Sequence, residues 1–441
     1  MRRFSVARSL KLGSFHIGSA MGDLLTSAVW NRVLIVDLGI AAWPVALLSA
    51  LRYLMAPLSL WAGHRSDTRP LLGSRRIAYI WLGRLLMLLA LPLLPASLFL
   101  MAAERASPSG WGLAFLSFVL YGAGTLISGP PFLALVHDST PYERRGQAIG
   151  IVQTMLIASF AFVPMLYAAL MPTYDQGLFL RLVLVGMGGA SLLWLFSIWG
   201  GERPRSAAPR EGPPPLLRQS LKEMWSHRSA RRYAAFLATA AFFGFMQDAV
   251  LEPFGGDVFG LSVGETTRFN AYWGGGVLVG MLATVALTRN RRPEQQVGPT
   301  SWGLAAATLP LLALALASLL EALTWVTPVL VLFGLGFGVY TAGGVGLLMA
   351  MSSERRAGSY LALWSVIHLV ARGAGIAAGG AARDLALGVT GSFHSAYAAV
   401  FALEAIGLAA AIVILQRVDV ASFAASGARF RPGELLEALP D

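Results

Sequence analysis

Apolar runs of about twenty residues, each closed by a short polar or basic stretch, recur twelve times along this chain. They fall at roughly 12–36, 43–62, 77–101, 111–137, 147–171, 178–200, 233–255, 267–288, 299–320, 327–351, 360–384 and 395–416. A helix needs about 20 mostly apolar residues to cross a bilayer's hydrocarbon core, so the pattern predicts twelve spans. The first run is irregular: "GDLLTSAVWNRVLIVDLG", Gly22 to Gly39, carries Asp23, Asn31 and Arg32 inside it. The longest polar stretch, "GGERPRSAAPREGPPPLLRQSLKEMWSHRSARR", separates runs six and seven and is a linker by its Pro and Arg content. The expected organisation is therefore a six-helix bundle over 1–200, a linker over 201–232, a second six-helix bundle over 233–416 and a tail over 417–441. Within the linker, Leu217, Leu221 and Met224 share one helical stripe, which suits either a short helix on the membrane surface or a solvated loop.

Composition agrees with the pattern. The 441 residues are 56% apolar and 13% charged, with a mean hydropathy of +0.63, values that belong to multi-span membrane proteins. Lys and Arg crowd the tails and the even-numbered connections, while Arg105, Arg268 and Arg383 stand at the other side. Basic residues near span ends stay cytoplasmic, so both termini are expected in the cytoplasm. This topology, facing anionic lipid, accounts for the net charge of +11 without a nucleic-acid partner. "MRRFSVARSLK" before an apolar run has the outline of a signal peptide, but the run is polar-spiced and completes the even span count, so it is read as retained. The absence of cysteine excludes disulfides, thiolate metal sites and cysteine nucleophiles.

The two halves repeat one another. "ERRGQAIGIVQ" at Glu143 introduces span five and "ERRAGSYLALW" at Glu354 introduces span eleven, the matching position. "GDLL" around Asp23 in span one likewise matches "QDAV" around Asp248 in span seven. Related six-helix halves place a binding region between them near mid-membrane. The connection after span two, "GHRSDTRPLLGSRR", resembles the signature loop of the major facilitator superfamily, with Gly63, Asp67, Arg75 and Arg76 in order and a slightly expanded spacing. Asp67 there can face the positive N-terminus of another helix, such as span eleven, with Arg144 and Arg145 as countercharge. Gly63, Asp67, Arg75, Arg76, Glu143, Arg144, Arg145, Glu354 and Arg355 are the expected cytoplasmic gate; the plainer reading is that these charges only set topology.

Longer segments narrow the resemblance. "GDLLTSAVWNRVLIVDLGI", "RYLMAPLSLWAGHRSDTRPLLGSRRIAYIWLGR", "GPPFLALVHDSTPYERRGQAIGIVQ" and "MQDAVLEPFGGDVFGLSVGETTRFNAYWGGG" together resemble the PucC-like bacteriochlorophyll delivery family of the major facilitator superfamily. The likeness covers nearly all spans and is strongest from Gly22 to Arg84. It implies an all-α polytopic fold and a bacterial cytoplasmic or intracytoplasmic photosynthetic membrane. It also implies a role in assembling light-harvesting complexes, with bacteriochlorophyll, antenna polypeptides, membrane lipids and pigment-synthesis enzymes as partners.

Charges inside spans are the candidate chemistry, because each costs on the order of 2.5–3.5 kcal/mol unless it faces protein or water. His16, Asp23 and Trp30 are seven apart and share one stripe of span one with Ser19 and Ser27. Asp23 and Arg32 stand ~13 Å apart along the axis, too far to pair, so Arg32 is expected to snorkel outward or meet another span, with Asp37 as one available partner. In span seven Asp248 and Glu252 are four apart on one face, a proton-coupling arrangement in a carrier; Arg52 in span two and Arg84 in span three are the alternative, purely structural partners. Trp364, His368 and Arg372 follow at successive fours in span eleven, ahead of Gly375 and Gly379. A neutral imidazole can donate its lone pair to a metal, so the resemblance makes His368 a candidate ligand of bacteriochlorophyll magnesium and Trp364 a surface for the macrocycle; a packed, hydrogen-bonded histidine is the ordinary alternative. The runs around Gly122 to Pro131 and Gly274 to Gly276 read as close-packing helix, and "GGGVLVG" lies within a span, so it is no nucleotide fingerprint. With no reactive constellation or metal-spacing motif, an enzyme is not expected. The leading expectation is an assembly factor for light-harvesting complexes; the alternative is a proton-coupled small-solute transporter.

Overall fold

The computed structural model describes residues 4–74, 76–141, 144–200, 225, 228–288, 291–351, 357–420 and 423. Most of the linker, including the stripe of Leu217, Leu221 and Met224, and most of the tail lie outside the described residues.

Twelve helical runs match the twelve apolar runs in order. α1 is continuous through Val6–Leu24, Leu25–Val29, Trp30–Arg32 and Val33–Asp37, two of those segments being π-helical turns. α2 is Ala42–Thr68, α3 Ile77–Ala103, α4 Pro108–Asp138, α5 Arg145–Leu170 and α6 Gln176–Ile198. α7 combines Arg228–Ala249 with Leu251–Phe259; α8 is Val263–Thr288, α9 Pro293–Leu319, α10 Leu323–Ala350, α11 Ala357–Thr390 and α12 Phe393–Gln416. Ten of these are long and apolar enough to cross a membrane, and the bent α7 makes eleven. α1 is the remaining run. Arg8, Lys11, Asp23 and Arg32 lower its hydropathy, and burial holds it instead: Phe15, Leu24, Leu25, Trp30 and Val33 are each at most 1% exposed.

The helices form two six-helix bundles. In the first, α1 packs on α5 and α6, and α3 on α4; in the second, α10 packs on α8 and α9, α9 on α12, and α7 on α11 and α12. The halves meet where α2 lies on α11 and α5 on α8. Backbone-to-backbone approach makes both contacts possible: a Cβ at Gly274 would sit 2.8 Å from the Phe160 carbonyl oxygen, and one at Gly380 2.8 Å from that of Ala42. These contacts gather toward the face opposite the chain's N-terminus, so the seam is closed there.

Proline sets the breaks that shape the seam. Pro253 has no N–H to return to the carbonyl of Ala249, four residues earlier. At that point α7 tightens into a 3₁₀ turn over Met246–Ala249 and bends by 44°. α2 is likewise interrupted at Met55 and Ala56, ahead of Pro57. Both breaks lie beside the charged residues of the seam.

Candidate functional site

Four intramembrane charges from four helices meet midway along the seam as two ion pairs. In the first half Arg52 of α2 donates to Asp23 of α1 at 2.7 Å, and the Tyr121 hydroxyl of α4 donates to the same carboxylate at 2.9 Å. In the second half Arg372 of α11 donates to Asp248 in the bend of α7 at 2.8 Å. Tyr53 joins the pairs across the halves, because the Arg52 and Arg372 guanidinium carbons each lie 4.5 Å from its ring centroid. Arg372 also stands 3.8 Å from the Phe245 ring. A cation over an aromatic face is worth about 0.5–2 kcal/mol as desolvation increases. All four charged side chains keep between 12% and 25% exposure, so solvent or a ligand reaches them.

Local structure explains the convergence. Gly122 places no side chain between α4 and the backbone of Arg52, where a Cβ would come within 2.9 Å of its Cα. The 3₁₀ turn of α7 swings Asp248 toward α11, and Gly375 and Gly379 let α11 rest on the carbonyls of Phe242 and Met246.

The other nominated residues are distributed around this centre. Arg84, 2% exposed, lies 4.0 Å from the Phe15 ring and 4.6 Å from that of Trp194, and donates to Ser19 at 3.1 Å. No carboxylate pairs with it among the described residues. His16 packs edge-on against Phe132, its Nε2 buried without a hydrogen-bond partner among the described residues. Trp30 and Trp364 are 0% exposed and belong to the core: Trp30 donates to Ser97, and Trp364 donates to the Met351 carbonyl and packs on Tyr233. Neither presents a ring face to a ligand. Glu252, 4% exposed, accepts from Asn270 and Thr267 of α8, rather than from Arg52 or Arg84. His368 sits one turn from Arg372, 5.8 Å from the Phe245 ring, with no hydrogen bond among the described residues.

At the face opposite the N-terminus, where the seam is closed, a second polar network crosses it. Arg32 pairs with Asp37 at 2.8 Å and donates to the Leu261 carbonyl at 2.8 Å in the connection after α7. Gly260, with φ of +67°, turns the chain there as glycine readily does. Asp384 of α11 accepts from the backbone N–H groups of Ala42 and Trp43 at 3.1 and 2.8 Å, capping the first turn of α2 from the other half. Arg383 holds Asp384 at 2.9 Å and Asp257 at 2.5 Å, and the Tyr397 hydroxyl donates to Asp257. The Gly264 N–H donates to the Pro172 carbonyl at 3.1 Å between α8 and the end of α5.

On the basic face Arg76 binds Asp67 at 2.5 Å and Asp138 at 3.3 Å, so among the described residues Asp67 pairs within its own connection rather than with span eleven. Gly63 packs at 3.5 Å from Pro130. Arg144 donates to Gln147, and Arg145 opens α5. Arg75, Glu143, Glu354 and Arg355 lie outside the described residues.

Sequence reasoning passed over Tyr53, Tyr121 and Phe245, which shape the seam, and Asp257, Asp384 and Tyr397, which close it. It also passed over Glu404, 0% exposed in α12 with neither oxygen hydrogen-bonded among the described residues. An acid inside an otherwise apolar run was the available signal for Glu404; aromatic residues carry no such mark.

Comparison with known proteins bears on this arrangement. A family profile described as "PUCC protein" matches residues 29–423. An "Uncharacterized protein in puhA-bchM intergenic region" of Rhodobacter capsulatus is 33% identical, over 98% of this chain and 91% of its own. A "Bacteriochlorophyll synthase 44.5 kDa chain" of Rhodobacter capsulatus is 31% identical, over 85% and 87% respectively. "Protein PucC" of Rhodovulum sulfidophilum is 30% identical, over 86% and 85%. Among solved structures, a bacterial homologue of the human lysosomal transporter Spinster, inward-facing and unoccupied, superposes with a TM-score of 0.64 at 17% identity over 96% of both chains. A POT family transporter in complex with 5-aminolevulinic acid gives 0.68 at 12% identity, also over 96% of both. These likenesses establish a major-facilitator-type fold.

Proposed function

The chain belongs to the PUCC protein family, and on that premise we propose that it is an assembly factor for bacterial photosynthetic light-harvesting complexes. In this reading it holds bacteriochlorophyll at the seam and passes it to antenna polypeptides in the membrane. Family membership over residues 29–423 is the observation that carries the reading, and the relatives' names, with puhA-bchM and bacteriochlorophyll synthase among them, support the photosynthetic context. It works in a bacterial cytoplasmic or intracytoplasmic membrane with both termini cytoplasmic, among lipids, antenna polypeptides and pigment-synthesis enzymes, and it is not itself an enzyme.

The residues of the seam suit a pigment. His368 has an imidazole with no described hydrogen-bond partner, which leaves a nitrogen lone pair for the magnesium of a chlorin. The Phe245 ring stands edge-on beside it, 5.8 Å between centroids. A bound pigment supplies a flat apolar macrocycle with a Lewis-acidic centre; the chain's part is to orient it and keep it out of lipid. Deleting the gene tests the reading. Antenna complexes are expected to fall, with loss of their absorption bands; normal levels and a normal spectrum would overturn it.

A second reading, a proton-coupled small-solute transporter, is favoured by one observation: an Asp–Arg pair stands in the seam in each half, Asp23–Arg52 and Asp248–Arg372. Solute-driven proton flux in proteoliposomes, abolished by Asp248→Asn, would establish it. No flux with pigment copurifying supports the first.

A further inference from the structure

We propose that the outer surface of the first bundle binds one anionic phospholipid, with an acyl chain in a trough between α1 and α5 and the phosphate at the trough's basic mouth. The site lies away from the seam and does not depend on what the seam holds. On α1, Val6 and Leu10 stand about 100° and 140° around the helix from Asp23, which faces the seam. Val6 is 52% exposed and Leu10 47%.

The trough has a volume of about 480 Å³ and is walled by Phe4, Val6 and Leu10 on one side and by Gly150, Ile151 and Met155 on the other. Two glycines shape it. Gly13 lets α1 close on α5, because a Cβ there would collide with the Met155 sulfur. Nearer the start of α5, a Cβ at Gly150 would meet nothing within 4 Å, so the groove stays open. Thr154 also lines it, but its hydroxyl donates to the Gly150 carbonyl at 2.8 Å, and the wall remains apolar. From Gln147 to Met155 the trough follows α5 for about 12 Å, most of the roughly 15 Å depth of one leaflet's hydrocarbon. A groove of that length, open to lipid, fits a single acyl chain. Lipid tails are as apolar as the wall, so close packing holds the chain and selection falls to the headgroup.

Charge at the mouth decides which headgroup is taken. Residues 1–11 carry Arg2, Arg3, Arg8 and Lys11 with no acid, and residues 140–147, which lead into α5, carry Arg144 and Arg145 against Glu143. Two of these guanidiniums stand at the trough. Arg144, exposed at the start of α5, donates to Gln147 of the trough wall at 3.0 Å. Arg8 donates to Ser139 at 3.3 Å beside a small polar recess that adjoins the trough at Phe4 and that Ser5 and Thr140 also line. Lys11 is turned away, to the Trp199 carbonyl at the end of α6. Across Phe4 the surface therefore passes from apolar to hydroxyl-lined and cationic, the order in which a phospholipid presents its tail and phosphate. A free phosphate would meet the same cations and leave the trough empty. A second copy of this chain would fill the trough and bring no phosphate.

Native mass spectrometry makes the test, on the full-length protein purified in detergent and offered equal amounts of phosphatidylglycerol and phosphatidylcholine with identical chains. A cation beside an anionic headgroup is worth about fivefold in affinity, so two set a ceiling of about 25-fold. Phosphatidylcholine keeps its phosphate, so one phosphatidylglycerol is expected to be preferred about tenfold, and Arg8→Gln and Arg144→Gln each to cut that preference about threefold. Gly150→Phe places a ring in the trough from an open Cβ position and is expected to lose the bound lipid without lowering the thermal midpoint. Gly188→Leu, at an equally open position on α6, is expected to keep it. Equal binding of the two lipids, or a preference that survives Gly150→Phe in folded protein, would overturn the inference. Glycerol phosphate competing as well as the lipid would also overturn it, by making the mouth a free-anion site. Dimers that disappear in Gly150→Phe would overturn it in favour of a second copy of the chain.

Discussion

Asp384 offers the sharpest perturbation of the seam, because a single carboxylate caps the first turn of α2 from the opposite half of the molecule. Asp384→Ala removes acceptors for two backbone N–H groups, those of Ala42 at 3.1 Å and Trp43 at 2.8 Å. Losing a cap costs about 1 kcal/mol, and losing a negative charge from a helix N-terminus about 0.3–1 kcal/mol more. Arg383 keeps Asp257 at 2.5 Å, so the second bundle loses little of its own. The penalty therefore falls on the contact between halves and amounts to about 1–2 kcal/mol, a shift of about five- to thirtyfold toward separation at this face. If the closed form dominates about a hundredfold, a tenfold shift raises the open population from about 1% to about 10%. The chain has no cysteine, so Ala106→Cys and Val389→Cys, both at exposed positions near that face, place spin labels without background. Pulsed dipolar spectroscopy is expected to show a longer-distance population in Asp384→Ala and a smaller one in Asp384→Asn, whose single amide oxygen still caps one N–H. Distance distributions identical to the parent protein in both variants would refute the reasoning.

Three further outcomes follow from the packing. Gly379→Leu drives a side chain into the Met246 carbonyl and is expected to destabilise by about 3 kcal/mol or more, whereas Gly275→Ala meets nothing within 4 Å and leaves the stability within about 0.5 kcal/mol of the parent, both read from thermal unfolding. Trp364→Ala empties a fully enclosed site and is expected to cost about 3–5 kcal/mol, read as a lowered thermal midpoint, because this ring is core rather than pigment surface. Arg76→Ala breaks pairs whose acids are 51% and 59% exposed, so its stability effect is expected to stay below about 1 kcal/mol and to vanish at high salt.

The helices were legible because span length and apolar content leave few alternatives in a bilayer. α1 was legible only by counting, since its charges bring it below the hydropathy of a free-standing span. The breaks were harder: Pro253 announces itself, but a 3₁₀ turn at Met246–Ala249 depends on how α11 packs over it. Charge inside an apolar run marked Asp23, Arg52, Asp248 and Arg372 individually. Which cation meets which acid depends on helix rotation and approach, and no spacing within one helix encodes that. Arg32 illustrates the point: its partner Asp37 lies five residues away in its own helix, but its second bond goes to the Leu261 carbonyl. Asp384 and Arg383 read from sequence as charges at a span end, and only the meeting of α2 with α11 gives them a role. Tyr53 carries no sequence signal at all, since a tyrosine in an apolar helix is ordinary until two guanidiniums turn toward it.

On the proposed function, a seam built from both halves holds pigment. The most direct measurement is the absorption spectrum of the full-length protein purified from a photosynthetically grown host lacking antenna polypeptides. Tetrapyrrole bands that copurify with the parent protein and diminish in Arg52→Gln, Arg372→Gln and His368→Gln are the expected result. A colourless, folded protein from pigment-replete membranes would contradict it.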